Sequence, residues 1–199
     1  MIVPPPFGPG QRIGLFGGSF NPAHRGHLAV ALYALKRLQL DWVWWLVSPQ
    51  NPLKDPAETD EFATRLARTR LMAQHPRFIV TGIEKALGTR TTAAMLARLG
   101  AMLRRGRFVW IMGADSFAGL HRWHDWTDIA EALPLAVLAR PGYSVRALNG
   151  LAAQRYGARR VGLEQAARLP FRRAPAWVFV PMPLHGESST AIRQARRRR

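Results

Sequence analysis

The chain reads as an α/β protein: one doubly wound, mainly parallel sheet with helices on both faces, in a single domain. Two observations predict it. Short apolar runs alternate with segments of helical period over most of the 199 residues. Such strands need a crossover helix before they can pair in parallel. The residues that carry chemistry stand directly after the apolar runs, where open α/β sheets hold their ligands.

The first strand is Arg12–Phe16, ended by Gly17-Gly18. A helix over Gly26–Gln39 follows, with Leu28, Ala31, Leu32, Leu35 and Leu38 at helical spacing. Trp42–Val47 is the second strand, and a Pro-rich stretch from Pro49 to Lys54 breaks away from it. A helix over Glu61–Gln74 leads to the third strand, Phe78–Ile83, and a helix over Thr92–Arg104 to the fourth, Phe108–Met112. Gly113-Ala114-Asp115-Ser116 turns out of that strand. A helix over Trp126–Leu133 precedes the fifth strand, Leu135–Ala139, which ends at Arg140-Pro141-Gly142. Helical periodicity returns over Ser144–Tyr156, but Ser144 to Pro175 as a whole is Arg-rich and weakly periodic, and reads as loops with one or two short helices. Trp177–Val180 is the last strand, and Ser189–Arg197 the last helix.

Residues 1–11 read as a flexible leader, 12–195 as the domain, and 196–199 as a basic tail. The chain has no cysteine, so disulfides and thiolate metal sites are excluded. It shows no run apolar enough to span a bilayer and no signal-peptide pattern at its start. A cytoplasmic protein is expected. The net charge is +17. Residues 1–143 hold 17 basic and 10 acidic side chains, and residues 144–199 hold 12 basic and 2 acidic, so the excess lies toward the carboxyl end. Such charge favours anionic ligands. It also raises an Arg-rich RNA-binding protein as an alternative, although no RRM-type aromatic string or other nucleic-acid motif is present. For Arg196–Arg199 a solvated tail is the simpler reading.

The most informative stretch is Gly17-Gly18-Ser19-Phe20-Asn21-Pro22-Ala23-His24-Arg25-Gly26-His27. It joins a strand to a helix through glycines and two histidines. Backbone N–H groups, a helix dipole and two imidazoles then converge, which suits a phosphate. It is neither G-x-G-x-x-G nor G-x-x-x-x-G-K-[ST]. A helix-capping loop with ordinary histidines is the competing reading. Zinc would need a third ligand; His121 and His124 repeat the spacing without supplying an obvious one. Near the other end, Ser188-Ser189-Thr190-Ala191-Ile192-Arg193 places hydroxyls and a cation at a helix start, fit for a polyphosphate or for a plain N-cap by Ser189. Asp115 can accept ribose hydroxyls or cap the next helix. Lys54 is a loop cation. Trp123 stands among polar residues where its ring could stack on a base, whereas Trp126 reads as core. Arg140 is an anion ligand or a surface residue.

The Gly17–His27 string and Ser188–Arg193 together resemble the two signatures of the nucleotidylyltransferase superfamily. The first, in its Gly-Gly-Ser-Phe-Asn-Pro version, looks most like the bacterial nicotinate-nucleotide adenylyltransferase family, which acts in NAD synthesis. That resemblance implies a Rossmann-like domain that joins ATP to nicotinate mononucleotide, with Mg²⁺ bound along with ATP. It gives His24, His27, Lys54 and Arg193 catalytic roles. Gly17, Gly18, Ser19, Phe20, Gly113, Asp115, Ser189 and Thr190 would bind ATP, and Thr92 and Trp123 the nicotinate nucleotide. No resident metal site is implied. Two departures stand out. Glu187 replaces the usual Ile before Ser-Ser-Thr, and its side chain is expected to point away from the phosphates. The family's Tyr-Thr-x-x-Thr-Leu reads Thr91-Thr92-Ala93-Ala94-Met95-Leu96 here, which leaves phosphopantetheine and nicotinamide mononucleotide as alternative acceptors.

Overall fold

The computed structural model describes residues 4–49, 59–183 and 185–197. Seven strands form one sheet: β1 (Arg12–Gly18), β2 (Trp42–Val47), β3 (Phe78–Thr81), β4 (Arg107–Gly113), β5 (Leu135–Leu138), β6 (Arg160–Val161) and β7 (Trp177–Val180). Their order across the sheet is β3-β2-β1-β4-β5-β7-β6, and every neighbouring pair is parallel. The expected doubly wound α/β architecture is therefore present. The chain runs outward from β1 to β3, then returns to place β4 on the other side of β1. That reversal is the switch point at which such sheets open a crevice beyond their carboxyl ends.

Helices cover both faces: α1 (Arg25–Arg37), α2 (Phe62–Met72), α3 (Ile83–Ala86), α4 (Thr92–Leu103), α5 (Ala114–Ala118), α6 (Trp126–Ala132), α7 (Ser144–Leu148), α8 (Leu151–Arg155) and α9 (Ser189–Arg197). Alternate strand residues feed two separate cores. Leu15, Trp44, Trp110, Met112 and Val137 pack beneath α4 to α8, while Val43, Trp45, Ile111, Ala136 and Val178 pack beneath α1 and its neighbours. Both faces being dry explains why the strands read as continuous apolar runs rather than as alternating ones. On α1 the buried stripe is Val30, Ala31, Ala34 and Leu35, the helical spacing that the sequence displays.

Some bounds differ from expectation, each for a local reason. β1 runs on through Gly17 and Gly18, which pair with Leu46 and Val47, so the turn starts only at Ser19. Phe20 takes the left-handed bend at φ 46°. β3 stops at Thr81, whose hydroxyl accepts the Ile83 N–H and turns the chain into α3. The helix expected over Ser144–Tyr156 breaks at Asn149-Gly150 into α7 and α8. The short edge strand β6 escapes sequence reading because two residues carry no period. Residues 4–11 are not a free leader. The Phe7 ring lies edge-on to Trp44 and Phe108 at 5.8 and 5.3 Å, and the Gly10 N–H donates to the Arg105 carbonyl at 3.1 Å. Among the described residues no helix is long and apolar enough to cross a membrane.

Gly17 lacks a side chain because the Trp110 ring occupies that space: a Cβ there would stand 2.5 Å from Trp110 Cη2. An indole in a packed core has little room to retreat. Gly17→Ala should therefore lower stability by roughly 1–3 kcal/mol through overpacking, read from urea midpoints at unchanged m-value.

Candidate functional site

Beyond the carboxyl ends of the strands, at the β1/β4 switch point, lies a cavity of about 1080 Å³. Gly17, Gly18, Ser19, Phe20 and His27 line it from the first strand and its loop. Gly113, Asp115, Trp123 and Arg140 line it from the centre and beyond, Thr92 and Glu84 from the β3 side, and Ser188, Ser189 and Thr190 from the last helix. Nearly all residues singled out in the sequence are thus brought together. Lys54 lies outside the described residues, as does the tail from residue 198.

The two histidines have different positions. His24 is the N-cap of α1, and its Nδ1 accepts the Gly26 N–H at 3.1 Å; the Nδ1 of His27 in turn accepts the His24 N–H at 3.3 Å. This is a capping box built of imidazoles. An Nδ1 that accepts leaves the proton of each neutral ring on Nε2. The rings stand 3.8 Å apart between centroids. His24 is only 2% exposed, and its Nε2 is buried without a partner among the described residues. Burial, with the nearby charge of Arg140, lowers its pKa to about 4. His24 is therefore a neutral ring behind the cavity wall. Of the two histidines given phosphate roles from sequence, His27 lines the cavity and His24 does not. Gly26 is needed because a Cβ there would stand 2.9 Å from both His24 Cε1 and an Arg140 nitrogen.

The carboxyl-terminal motif folds back onto this loop. Ser188, not Ser189, caps α9, its hydroxyl accepting the Ala191 N–H at 3.1 Å. Ser189 instead donates to the Pro22 carbonyl at 3.0 Å, and Arg193 donates to the Asn21 carbonyl at 2.9 Å. Glu187 does not point away. Its Oε2 accepts the Arg25 N–H at 2.8 Å, so it satisfies an open amide in the first turn of α1, where the dipole favours an anion.

Asp115 follows β4 as expected, with its Oδ1 3.7 Å from Arg140 Nε. Gly113 precedes it because any side chain there would collide with Asp115 and Arg140. Phe20 lies in an aromatic cluster with Phe16, Trp45 and His27, at ring distances of 5.1–5.4 Å, so it shapes the wall more than it offers a polar contact. Thr91 caps α4 through its hydroxyl, and Met95, at the place of the second Thr, is buried in the core. Trp123 is half-buried on the cavity wall. Trp126 packs edge-on against Tyr156 at 5.9 Å, away from it.

Sequence reading missed Arg65. It is 1% exposed, and its guanidinium donates to the carbonyls of Asp60, Ser19, Ser48 and Pro49 at 2.6–2.8 Å. Burial pulls its pKa down from the usual value. A signal was present: Arg65 falls on the buried stripe of α2 with Phe62, Leu66 and Thr69, where an apolar residue is the rule. Glu84 was passed over in the same way.

A parallel sheet with a switch-point crevice, entered by a His-x-Gly-His helix and closed by the last helix, is the architecture of a nucleotidyl-transferring domain. Residues 15–195 match the cytidylyltransferase-like family, and the chain belongs to it. A relative from Roseobacter denitrificans, named probable nicotinate-nucleotide adenylyltransferase, is 51% identical over 186 residues, covering 92% of each chain. One of the same name from Rhizobium meliloti is 47% identical over 184 residues, covering 92% of this chain and 98% of its own length. Among solved structures, Plasmodium falciparum nicotinic acid mononucleotide adenylyltransferase complexed with NaAD shares the fold, with a TM-score of 0.67 at 14% identity over 92% of this chain and 83% of that one.

The buried neutral His24 contributes an acid-sensitive part of the stability. Below the ordinary imidazole value of 6.5 the unfolded chain takes up a proton that the native state refuses until about pH 4. The stability present above pH 6.5 is then lost on acidification, at up to roughly 1.4 kcal/mol per pH unit within that window. Glu84, raised from 4.5 to about 7, contributes a slope of the opposite sign over much of this window, so the His24 contribution is read as the difference between thermal melts of the wild type and of His24→Asn across pH 4–7. An unchanged slope in the variant would place the titration elsewhere.

Proposed function

We infer that this chain transfers the adenylyl group of ATP to nicotinate mononucleotide, giving nicotinate adenine dinucleotide and pyrophosphate. The observation that carries this reading is the near-half identity, over nine-tenths of the chain, with relatives named for that activity. The cavity supports it, since its volume of about 1080 Å³ suits a dinucleotide-sized ligand and lies at the switch point.

In this reading an oxygen of the acceptor's phosphate attacks the α-phosphorus of ATP. The new P–O bond forms as the bond to the β-phosphate bridge breaks, and pyrophosphate leaves with the electron pair. No covalent enzyme intermediate is required, so catalysis is positioning plus charge stabilisation. His27 supplies the donor: its Nδ1 is occupied by the His24 amide, so Nε2–H is what it offers a phosphate in the cavity. His24 acts through His27, fixing the ring with its backbone amide. Arg193 and Ser189 hold the last helix against the phosphate loop, and Thr190 stands on the cavity wall for the leaving group. Gly17, Gly18, Ser19 and Phe20 form the floor, and Gly113 and Asp115 take the adenosine ribose. Lys54 is assigned to the phosphates on family resemblance alone. Thr92 and Trp123 receive the pyridine nucleotide. Among the described residues no three His, Cys, Asp or Glu converge to hold a metal ion. Mg²⁺ is proposed, on the family resemblance, as bound through the triphosphate, where it would offset phosphate charge.

The direct test is pyrophosphate release from Mg²⁺-ATP with nicotinate mononucleotide, nicotinamide mononucleotide or phosphopantetheine as acceptor, with product identification; the first should be turned over best. His27→Ala should lower kcat by about 10²–10³, as for loss of one transition-state donor. Full activity in that variant would remove His27 from the chemistry. Trp123→Ala should raise KM for nicotinate mononucleotide several-fold while leaving that for ATP in place. Equal effects on both substrates would rule out stacking on the pyridine.

A further inference from the structure

Glu84 is a carboxyl without a partner among the described residues. It opens α3 after β3, is 7% exposed, and lines the cavity. Its side chain has neither a hydrogen bond nor an ion pair among the described residues. β3 is an edge strand of the sheet, and Glu84 enters the cavity wall from that side. Thr92 and Trp123, the residues given to the pyridine nucleotide, line the same cavity.

The charged groups around Glu84 are otherwise engaged or distant. On its own helix, the Lys85 ammonium lies over the Phe62 ring at 4.7 Å. From α2, Arg65 is saturated by four carbonyls. β2, against which α3 packs, is wholly apolar. Arg90 lines the cavity from the loop before α4, and Asp115, Arg122, His124 and Arg140 line it from the far wall, yet none shifts the Glu84 equilibrium. Desolvation by burial raises its pKa to about 7. A carboxyl in such a place is poised to be neutral, and a neutral carboxyl is a hydrogen-bond donor.

We propose that Glu84 is a specificity-determining residue that, in its protonated form, donates a hydrogen bond to the pyridine carboxylate of the acceptor. It thereby selects the acid over the corresponding amide. This rests on the function inferred above. An acidic acceptor is recognised by an acid that keeps its proton. When Glu84 is ionised, binding the carboxylate requires uptake of one proton from solvent, which stays on Glu84. The ionised form repels the carboxylate and accepts from a carboxamide, so acceptor preference depends on pH.

The test is kcat/KM for nicotinate mononucleotide divided by that for nicotinamide mononucleotide, from pH 6 to 8, in the wild type and in Glu84→Gln. Both acceptors share the phosphate, the enzyme and ATP, so pH effects common to the two cancel in the ratio. In the wild type the ratio should fall by roughly ten-fold, following the protonated fraction of a group near pH 7. In Glu84→Gln, a permanent donor of the same shape, it should be flat. As a second measurement on the wild type, calorimetry of nicotinate mononucleotide binding at pH 8, in buffers of different ionisation enthalpy, should show more proton uptake than binding of the amide. A flat wild-type ratio, a pH dependence retained in Glu84→Gln, or equal proton uptake for the two ligands would overturn the proposal while leaving the function intact. A wild type that turns over neither acceptor would overturn both.

Discussion

One buried cation organises the phosphate end of this molecule. The Arg65 guanidinium leaves water to give hydrogen bonds to carbonyls from three separate segments: the loop after β1, the end of β2 and the start of α2. Desolvating a guanidinium costs several kcal/mol, and only a near-complete set of acceptors offsets it. Those acceptors belong to residues that wall the cavity or sit next to it. The loop that carries the histidines is held at Ser19 by a side chain from another element, so its shape is fixed before any ligand arrives. Lysine could not substitute, since a single ammonium cannot fan out to four carbonyls.

From that anchor the rest of the loop follows by hydrogen bonding. Ser19 is held, Phe20 bends left-handed into an aromatic cluster, and His24 then caps α1 while its amide fixes His27. The His-x-Gly-His spacing is thus first a helix-start device and only then a phosphate device. The division of labour between the rings comes from depth: the inner one is too dry to be charged, and the outer one meets the cavity. Glu187 fits the same electrostatic frame, because a helix start with open N–H groups accepts a carboxylate as well as a phosphate.

Much of this was legible in the chain. Dry parallel strands are long apolar runs, α1 has a clear stripe, and two glycine- and hydroxyl-rich segments at strand ends mark a ligand site. Arg65 was not legible as an anchor, because its acceptors are backbone carbonyls that carry no sequence identity. Glu187 was misjudged because its partner is a backbone amide, equally anonymous in sequence. The charge state of His24 depends on burial at the junction of three elements, which no local window contains. Phe7 was missed because a single aromatic among prolines carries no period. What sequence hides here is contact between a side chain and a distant main chain; what it displays is side-chain pattern.

The ends of the chain meet at the site: Glu187, Ser189 and Arg193 bind Arg25, Pro22 and Asn21, partners more than 160 positions earlier. On the ribosome β1 and the glycine loop emerge first, while α9 is still unmade. β1 lies in the middle of the sheet, so it must wait for β4 before its second edge is covered. The amides and carbonyls of the phosphate loop then stay open to water until the last helix is released. Nascent chains of this topology can bury much of their core before α9 is made, but they gain a finished nucleotide pocket only once α9 can fold back.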